Sequence, residues 1–122
     1  MVQDFRFGIG VQSVKSAQKL RDTVRRFEDL GFDVLHVPDH LGRFGIPAPF
    51  PTMVAAAEYS KTMRVGTFVI NAAFYKPAVL ARDAMAVDVL SEGREAGGSP
   101  AAHHHIPQGD RTVDPNPDRG QR

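Results

Sequence analysis

The chain has 122 residues, with 15 Lys and Arg against 14 Asp and Glu, and contains no cysteine. This length suits one domain, and a net charge of +1 gives no general electrostatic reason to expect nucleic acid as a partner. The lack of cysteine excludes a disulfide scaffold, a thiolate metal site and a cysteine nucleophile. Because no run approaches the roughly 18 to 20 apolar residues of a membrane span, we expect no membrane partner and a cytoplasmic protein by default.

Composition changes abruptly near Arg94. Every aromatic residue lies before this position, whereas the segment after it is dominated by Gly, Pro, Asp and Arg, with Ile106 and Val113 as its large apolar residues. Such a segment cannot bury enough apolar surface to offset the entropy lost on ordering it. We therefore predict a folded part over residues 1–94 and a disordered tail over residues 95–122.

The first part of the chain has the pattern of a strand followed by a helix. Apolar residues occupy every second position from Phe5 to Val11, as in a strand. A helix is predicted from Ser16 to Leu30, because Ser16 suits the N-cap and apolar residues then recur at spacings of three and four. Gly31 follows as a left-handed helix stop.

Two further strand and helix pairs follow. The second strand is predicted over Asp33–Val37, and its helix begins near Pro51 and ends near Thr62. The third strand, Arg64–Ile70, is almost continuously apolar, as expected for a parallel strand covered on both faces. Its helix opens at Pro77 and stops at Gly93.

This alternation predicts an α/β fold with a parallel sheet, either open or part of a barrel. Three units occupy roughly ninety residues, whereas a closed eight-unit barrel takes about 250 residues. The sequence therefore predicts a sheet that does not close into such a barrel by itself.

Ligands collect at the carboxyl ends of parallel strands, and the segment after the second strand is the richest in chemical groups. Asp39 and His40 stand together there; an imidazole can act as acid or base near neutral pH, and a carboxylate can orient it. An ordinary loop turn at Asp39 with a surface histidine is the simpler interpretation of spacing alone. His36, inside the strand, is expected to be a packed or hydrogen-bonded core histidine.

The segment after the third strand offers the amide of Asn71 and the aromatic rings of Phe74 and Tyr75, although an ordinary loop with an aromatic plug explains them equally well. Gly8 and Gly10 match two glycines of a dinucleotide-binding fingerprint, but the third is missing. The adjacent histidines 103–105 lack a structured frame with acidic or thiol neighbours, so we predict no specific metal site.

Six short motifs in register extend over about the first three quarters of the chain and resemble the bacterial luciferase-like monooxygenase superfamily, most closely its deazaflavin-dependent branch. The motifs are Phe5-Arg6-Phe7-Gly8, Glu28-Asp29-Leu30-Gly31-Phe32-Asp33, Val37-Pro38-Asp39-His40, Arg64-Val65-Gly66-Thr67, Lys76-Pro77-Ala78-Val79-Leu80-Ala81 and Asp88-Val89-Leu90-Ser91-Glu92-Gly93-Arg94.

The resemblance implies the first three units of a (β/α)8 barrel, with coenzyme F420, a deazaflavin, or alternatively FMN, bound at the carboxyl ends of the strands. It implies an oxidoreductase, a monooxygenase or a hydride-transfer dehydrogenase, that acts on a small molecule. Carried over by position, Asp39 and His40 match the active-site pair and also border the cofactor. Phe68 and Val69 match the non-proline cis peptide that backs the deazaflavin ring, and Asn71 matches a polar residue beside it.

The sequence departs from the family after Arg94. There the family continues with a fourth apolar strand and a glycine-rich turn, and later supplies phosphate-binding groups and an acidic catalytic residue that match no position here. We therefore interpret the chain as a truncated or frame-shifted member. The alternative interpretation is an inactive barrel fragment without a ligand, which associates with itself through exposed strand edges.

Overall fold

The computed structural model describes residues 5–95, and these contain three strands and three long helices. In chain order the elements are β1 Gly8–Gly10, α1 Ala17–Asp29, β2 Val34–Val37, α2 Pro49–Tyr59, β3 Arg64–Thr67, a single 3₁₀ turn Ala72–Phe74, and α3 Pro77–Leu90. The three predicted strand and helix pairs are thus confirmed. The predicted disorder of residues 96–122, and the histidines 103–105 within them, lie outside the described residues.

The strands form one parallel sheet in the order β1-β2-β3. The register places Gly10 of β1 beside His36 of β2, and His36 beside Gly66 of β3. Because side chains alternate between the two faces of a strand, these three residues share one face of the sheet. Within residues 5–95 the sheet has only these three strands and does not close, as predicted.

The opposite face of the sheet carries the core. Leu35, Val37 and Val65 are almost fully buried there. They belong to one apolar cluster with residues from all three helices, which include Val24 of α1, Met53 and Ala56 of α2, and Val87 of α3. Burial of this face fixes which side chains of the strands point the other way, since a shift of one residue would invert every one of them.

The helix ends follow the local chemistry that the sequence indicates. Ser16 caps α1, and its hydroxyl accepts a hydrogen bond from the Lys19 amide at 3.2 Å. Gly31 has φ of 84°, the left-handed conformation that glycine adopts readily. A proline opens α3 at Pro77 as predicted, whereas α2 begins at Pro49, two residues before the predicted Pro51.

The strands are shorter than the apolar pattern indicates. β1 begins at Gly8, and the preceding Phe5 and Phe7 are exposed. β3 ends at Thr67, although the apolar run continues to Ile70. The predicted strand was too long because apolar character alone does not distinguish a strand from the exposed segment that follows it.

Arg94 ties the end of α3 to the end of α2. Its guanidinium donates to the carbonyls of Ala57 at 2.9 Å, Ser60 at 3.1 Å and Ser91 at 2.9 Å. A cation suits these carbonyls because the carboxyl end of a helix is partially negative. The Arg94 carbonyl in turn accepts from the Val65 amide, and Glu95, which the sequence assigned to the tail, forms an isolated parallel bridge with Val65.

Candidate functional site

A cleft of about 410 Å³ opens at the carboxyl ends of the strands, where the sequence predicted a ligand site. It is lined by glycines and apolar residues with four polar side chains: Gly8, Gly10, Val11, Gln12, His36, Pro38, His40, Arg43, Ile46 and Phe68. The polar members are two imidazoles, an amide and a guanidinium. None of the described residues that line this cleft is acidic, so the lining suits an electron-rich or anionic group.

His40 lies in the cleft lining and is exposed to solvent. It follows β2 after Pro38 and Asp39, so the end of the strand places it at the mouth of the cleft. An exposed imidazole can exchange a proton with solvent and with a bound group, which is the property that general acid or base chemistry needs.

Asp39 is 7% exposed and does not line the cleft. Its backbone amide donates to the Val69 carbonyl at 3.2 Å, and its carboxylate oxygen Oδ2 accepts from the Asn71 amide at 3.0 Å. Asp39 therefore holds both ends of the segment 69–71 and joins the loop after β2 to the loop after β3.

The peptide bond between Phe68 and Val69 is cis, as the family resemblance implies for this position. Phe68 lines the cleft and is 70% exposed, and Val69 is 58% exposed. The Phe68 ring packs against the His36 imidazole with 5.7 Å between ring centroids. An exposed aromatic ring thus forms one wall of the cleft, next to a histidine.

Asn71 contacts Asp39 through its backbone amide, and its exposed side chain is outside the cleft lining. Tyr75 packs edge-on against Phe50 at 5.8 Å. Burial, a hydrogen bond to Asp39, and the negative charges of Asp39 and Asp83 raise the pKa of Tyr75. Asn71 and Tyr75 thus contact Asp39 and do not line the cleft.

His36 is where the sequence expectation differs most from the structure. It was expected in the core, yet its imidazole lines the cleft beside Phe68. Its Nδ1 is buried without a hydrogen-bond partner among the described residues, and burial lowers the pKa of His36. The clue in the sequence was parity, because His36 falls on the strand face opposite Leu35 and Val37.

Residues 2–98 match a family model described as luciferase-like monooxygenase. Among solved structures, the chain is similar to the coenzyme F420-dependent tetrahydromethanopterin reductase of Methanopyrus kandleri (TM-score 0.66, 22% identity, 76% of this chain and 26% of that one). It is similar to the oxygenating constituent of 3,6-diketocamphane monooxygenase from Pseudomonas putida, solved with FMN (TM-score 0.63, 20% identity, 80% of this chain and 31% of that one). It is also similar to the monooxygenase RslO1 of Streptomyces bottropensis (TM-score 0.62, 27% identity, 75% of this chain and 31% of that one).

These similarities confirm the predicted fold, three βα units of an incomplete barrel. The chain spans less than a third of the length of each of these proteins, since it covers 26% to 31% of them. Within residues 5–95, no helix has the length and apolar character needed to cross a membrane.

Proposed function

The chain belongs to the luciferase-like monooxygenase family, and on that premise we propose that it contributes the ring-binding cleft of a flavin- or deazaflavin-dependent oxidoreductase. The observation that carries the proposal is the convergence of His40 and the exposed Phe68 ring in one cleft at the carboxyl ends of the strands. One similar structure is F420-dependent and another holds FMN, which supports this class of cofactor without separating the two.

The lining of the cleft fits a flat heteroaromatic ring. Phe68 supplies an exposed face, and Val11, Pro38 and Ile46 supply apolar contacts. The imidazoles, Arg43 and Gln12 supply donors for carbonyl oxygens and ring nitrogens, as in other pockets that combine an apolar lining with a few polar groups. When bound, the ring would supply the site of hydride exchange or oxygen chemistry.

Each predicted residue has a proposed part in this site. His40 holds or delivers a proton at the mouth of the cleft. Asp39 fixes the segment after β3, in which Phe68 and Val69 back the ring. Asn71, predicted beside the ring, lies outside the cleft lining and acts through its bond to Asp39. The substrate is a small molecule that enters the same cleft.

A fluorescence titration of the full chain with coenzyme F420, and with FMN in parallel, tests this proposal. We expect saturable micromolar binding of one of them that weakens about three- to tenfold in His40→Ala, the effect of losing one hydrogen bond. Lys19→Ala, an exposed change on α1, is the matched control and should bind as the wild type does. No binding of either cofactor at millimolar concentration would contradict the proposal.

A second proposal, an inactive fragment that pairs with a copy of itself, also has support. Among the described residues, the outer edge of β1 has no strand partner, and Met85 and Val89 of α3 are exposed. Unpaired edges and exposed apolar side chains favour association. Light scattering after size exclusion, with and without cofactor, separates the proposals: a dimer that binds no cofactor supports the fragment, and a monomer contradicts it.

A further inference from the structure

The in-register neighbours of His36 on both adjacent strands are glycines. In register, His36 is flanked by Gly10 on β1 and by Gly66 on β3. A Cβ placed on Gly8 would lie 2.7 Å from His36 Nε2 and 2.9 Å from Cδ2. Gly10 and Gly66 are thus the in-register neighbours of His36, and Gly8 is the glycine whose missing side chain leaves room for the imidazole.

Glycine at position 8 leaves space for the His36 ring and is not required by the backbone conformation. Its φ is not among the positive values found in this chain, so another residue could adopt its backbone angles. A methyl group there would nevertheless collide with the imidazole, because real Cβ atoms do not approach other atoms to 2.7 Å. The position thus depends on the ring of His36.

The two imidazole nitrogens of His36 have different surroundings. Nε2 lies toward Gly8, which itself lines the cleft, whereas Nδ1 is buried without a partner among the described residues. A neutral imidazole carries one proton. A proton on Nε2 leaves only a lone pair unpaired at Nδ1, whereas the other tautomer would bury an N–H group with no acceptor, which is rarer in proteins.

We propose that His36 is a ligand-contacting residue of the cleft, whose Nε2–H donates to a carbonyl oxygen or ring nitrogen at the edge of the bound heteroaromatic ring. Gly8 leaves room for the imidazole, because a Cβ at that position would lie 2.7 Å from Nε2. The Phe68 ring packs against the imidazole at 5.7 Å between ring centroids. This inference rests on the proposed ring-binding function and assigns to it a residue that determines how the ring is oriented.

Riboflavin, which has the ring without a phosphate, is the probe that tests this contact. We expect His36→Ala to weaken riboflavin binding about three- to tenfold and His36→Gln, which keeps a donor, to recover part of the loss. Val34→Ala, on the same strand and face but outside the cleft lining, is the matched control and should bind as the wild type does. Wild-type affinity in His36→Ala would overturn the inference while leaving the proposed function intact.

A double-mutant cycle tests the dependence of Gly8 on His36. Gly8→Ala should weaken riboflavin binding and lower the free energy of unfolding, and both effects should nearly disappear in the His36→Ala background. Independent, additive losses would overturn the inference. If wild-type protein binds no riboflavin, FMN or F420, the proposed function fails and this inference fails with it.

Discussion

Asp39 affects the site through the backbone it holds. One residue of the loop after β2 donates to Val69 and accepts from Asn71, so the segment that carries the Phe68 wall is fastened at both ends. Removal of the carboxylate would leave the Asn71 backbone amide without this acceptor, whereas the backbone hydrogen bond from Asp39 to Val69 would remain. Asp39 and His40 are adjacent in sequence, but one holds the cleft wall and the other faces the cleft.

Asp39→Ala should lower the free energy of unfolding by about 1–3 kcal/mol, since it leaves the Asn71 amide without an acceptor. Asp39→Asn keeps a side-chain oxygen and should lose less. Urea denaturation measures both, with Asp22→Ala on the exposed face of α1 as the control. Equal stability of Asp39→Ala and wild type would show that the two loops do not depend on this carboxylate.

At the scale of elements, Glu28 joins α1 to the turn between α2 and β3. Its Oε1 accepts from the Lys61 amide at 2.8 Å, the Thr62 amide at 2.7 Å and the Thr62 hydroxyl at 2.9 Å. Burial alone would raise the pKa of Glu28, but these hydrogen bonds outweigh it and leave the pKa below its usual value. Glu28 thus holds the turn as a hydrogen-bond acceptor, whereas Arg94 holds the preceding end of α2 as a donor.

The lowered pKa of Glu28 predicts a pH dependence of stability. The folded state binds the proton less tightly than the unfolded chain, so the contribution of Glu28 is complete above its usual pKa near 4.5 and is lost as the pH falls through the folded value. Glu28→Gln should lower the free energy of unfolding at pH 7 by about 1 kcal/mol and flatten its dependence on pH below 4.5.

Urea denaturation across pH 3 to 7 checks this prediction for Glu28→Gln. Glu58→Gln, at an exposed position of α2, is the control. An unchanged slope below pH 4.5 in Glu28→Gln would exclude this carboxylate as the source of the acid sensitivity.

At the scale of the whole molecule, the two faces of the sheet differ: the helices bury one, and the other carries residues that line the cleft. The sequence pattern predicts this difference only in part. The apolar patterns of the strands and helices predict the βα order and the parallel sheet, because these depend on local chemistry and burial. His36 was expected in the core but lines the cleft. The sequence does not reveal this, because the covering of a strand face depends on which other parts of the fold pack against it. Asp39 was predicted at the ligand site after β2. Its hydrogen bonds to Val69 and Asn71 could not be predicted, because they join residues about 30 positions apart in the chain.

The cleft lies on the sheet face that carries His36, and Phe68 lines it together with His36. The chain covers 26% to 31% of the solved structures to which it is similar. The two proposals differ in whether this cleft binds a ring, or the chain binds no cofactor and associates with a second copy through the edge of β1 and the exposed residues of α3.

Histidine imidazole signals in ¹H–¹⁵N NMR spectra test the central claim most directly, because two of the five histidines, His36 and His40, line the cleft. With signals assigned by single His→Gln changes, addition of FMN or coenzyme F420 should shift the signals of His36 and His40 in parallel with saturation. Those of histidines 103–105 should stay in place. Saturation without a shift at His36 or His40, or shifts confined to histidines 103–105, would contradict a ring-binding cleft at the carboxyl ends of the strands.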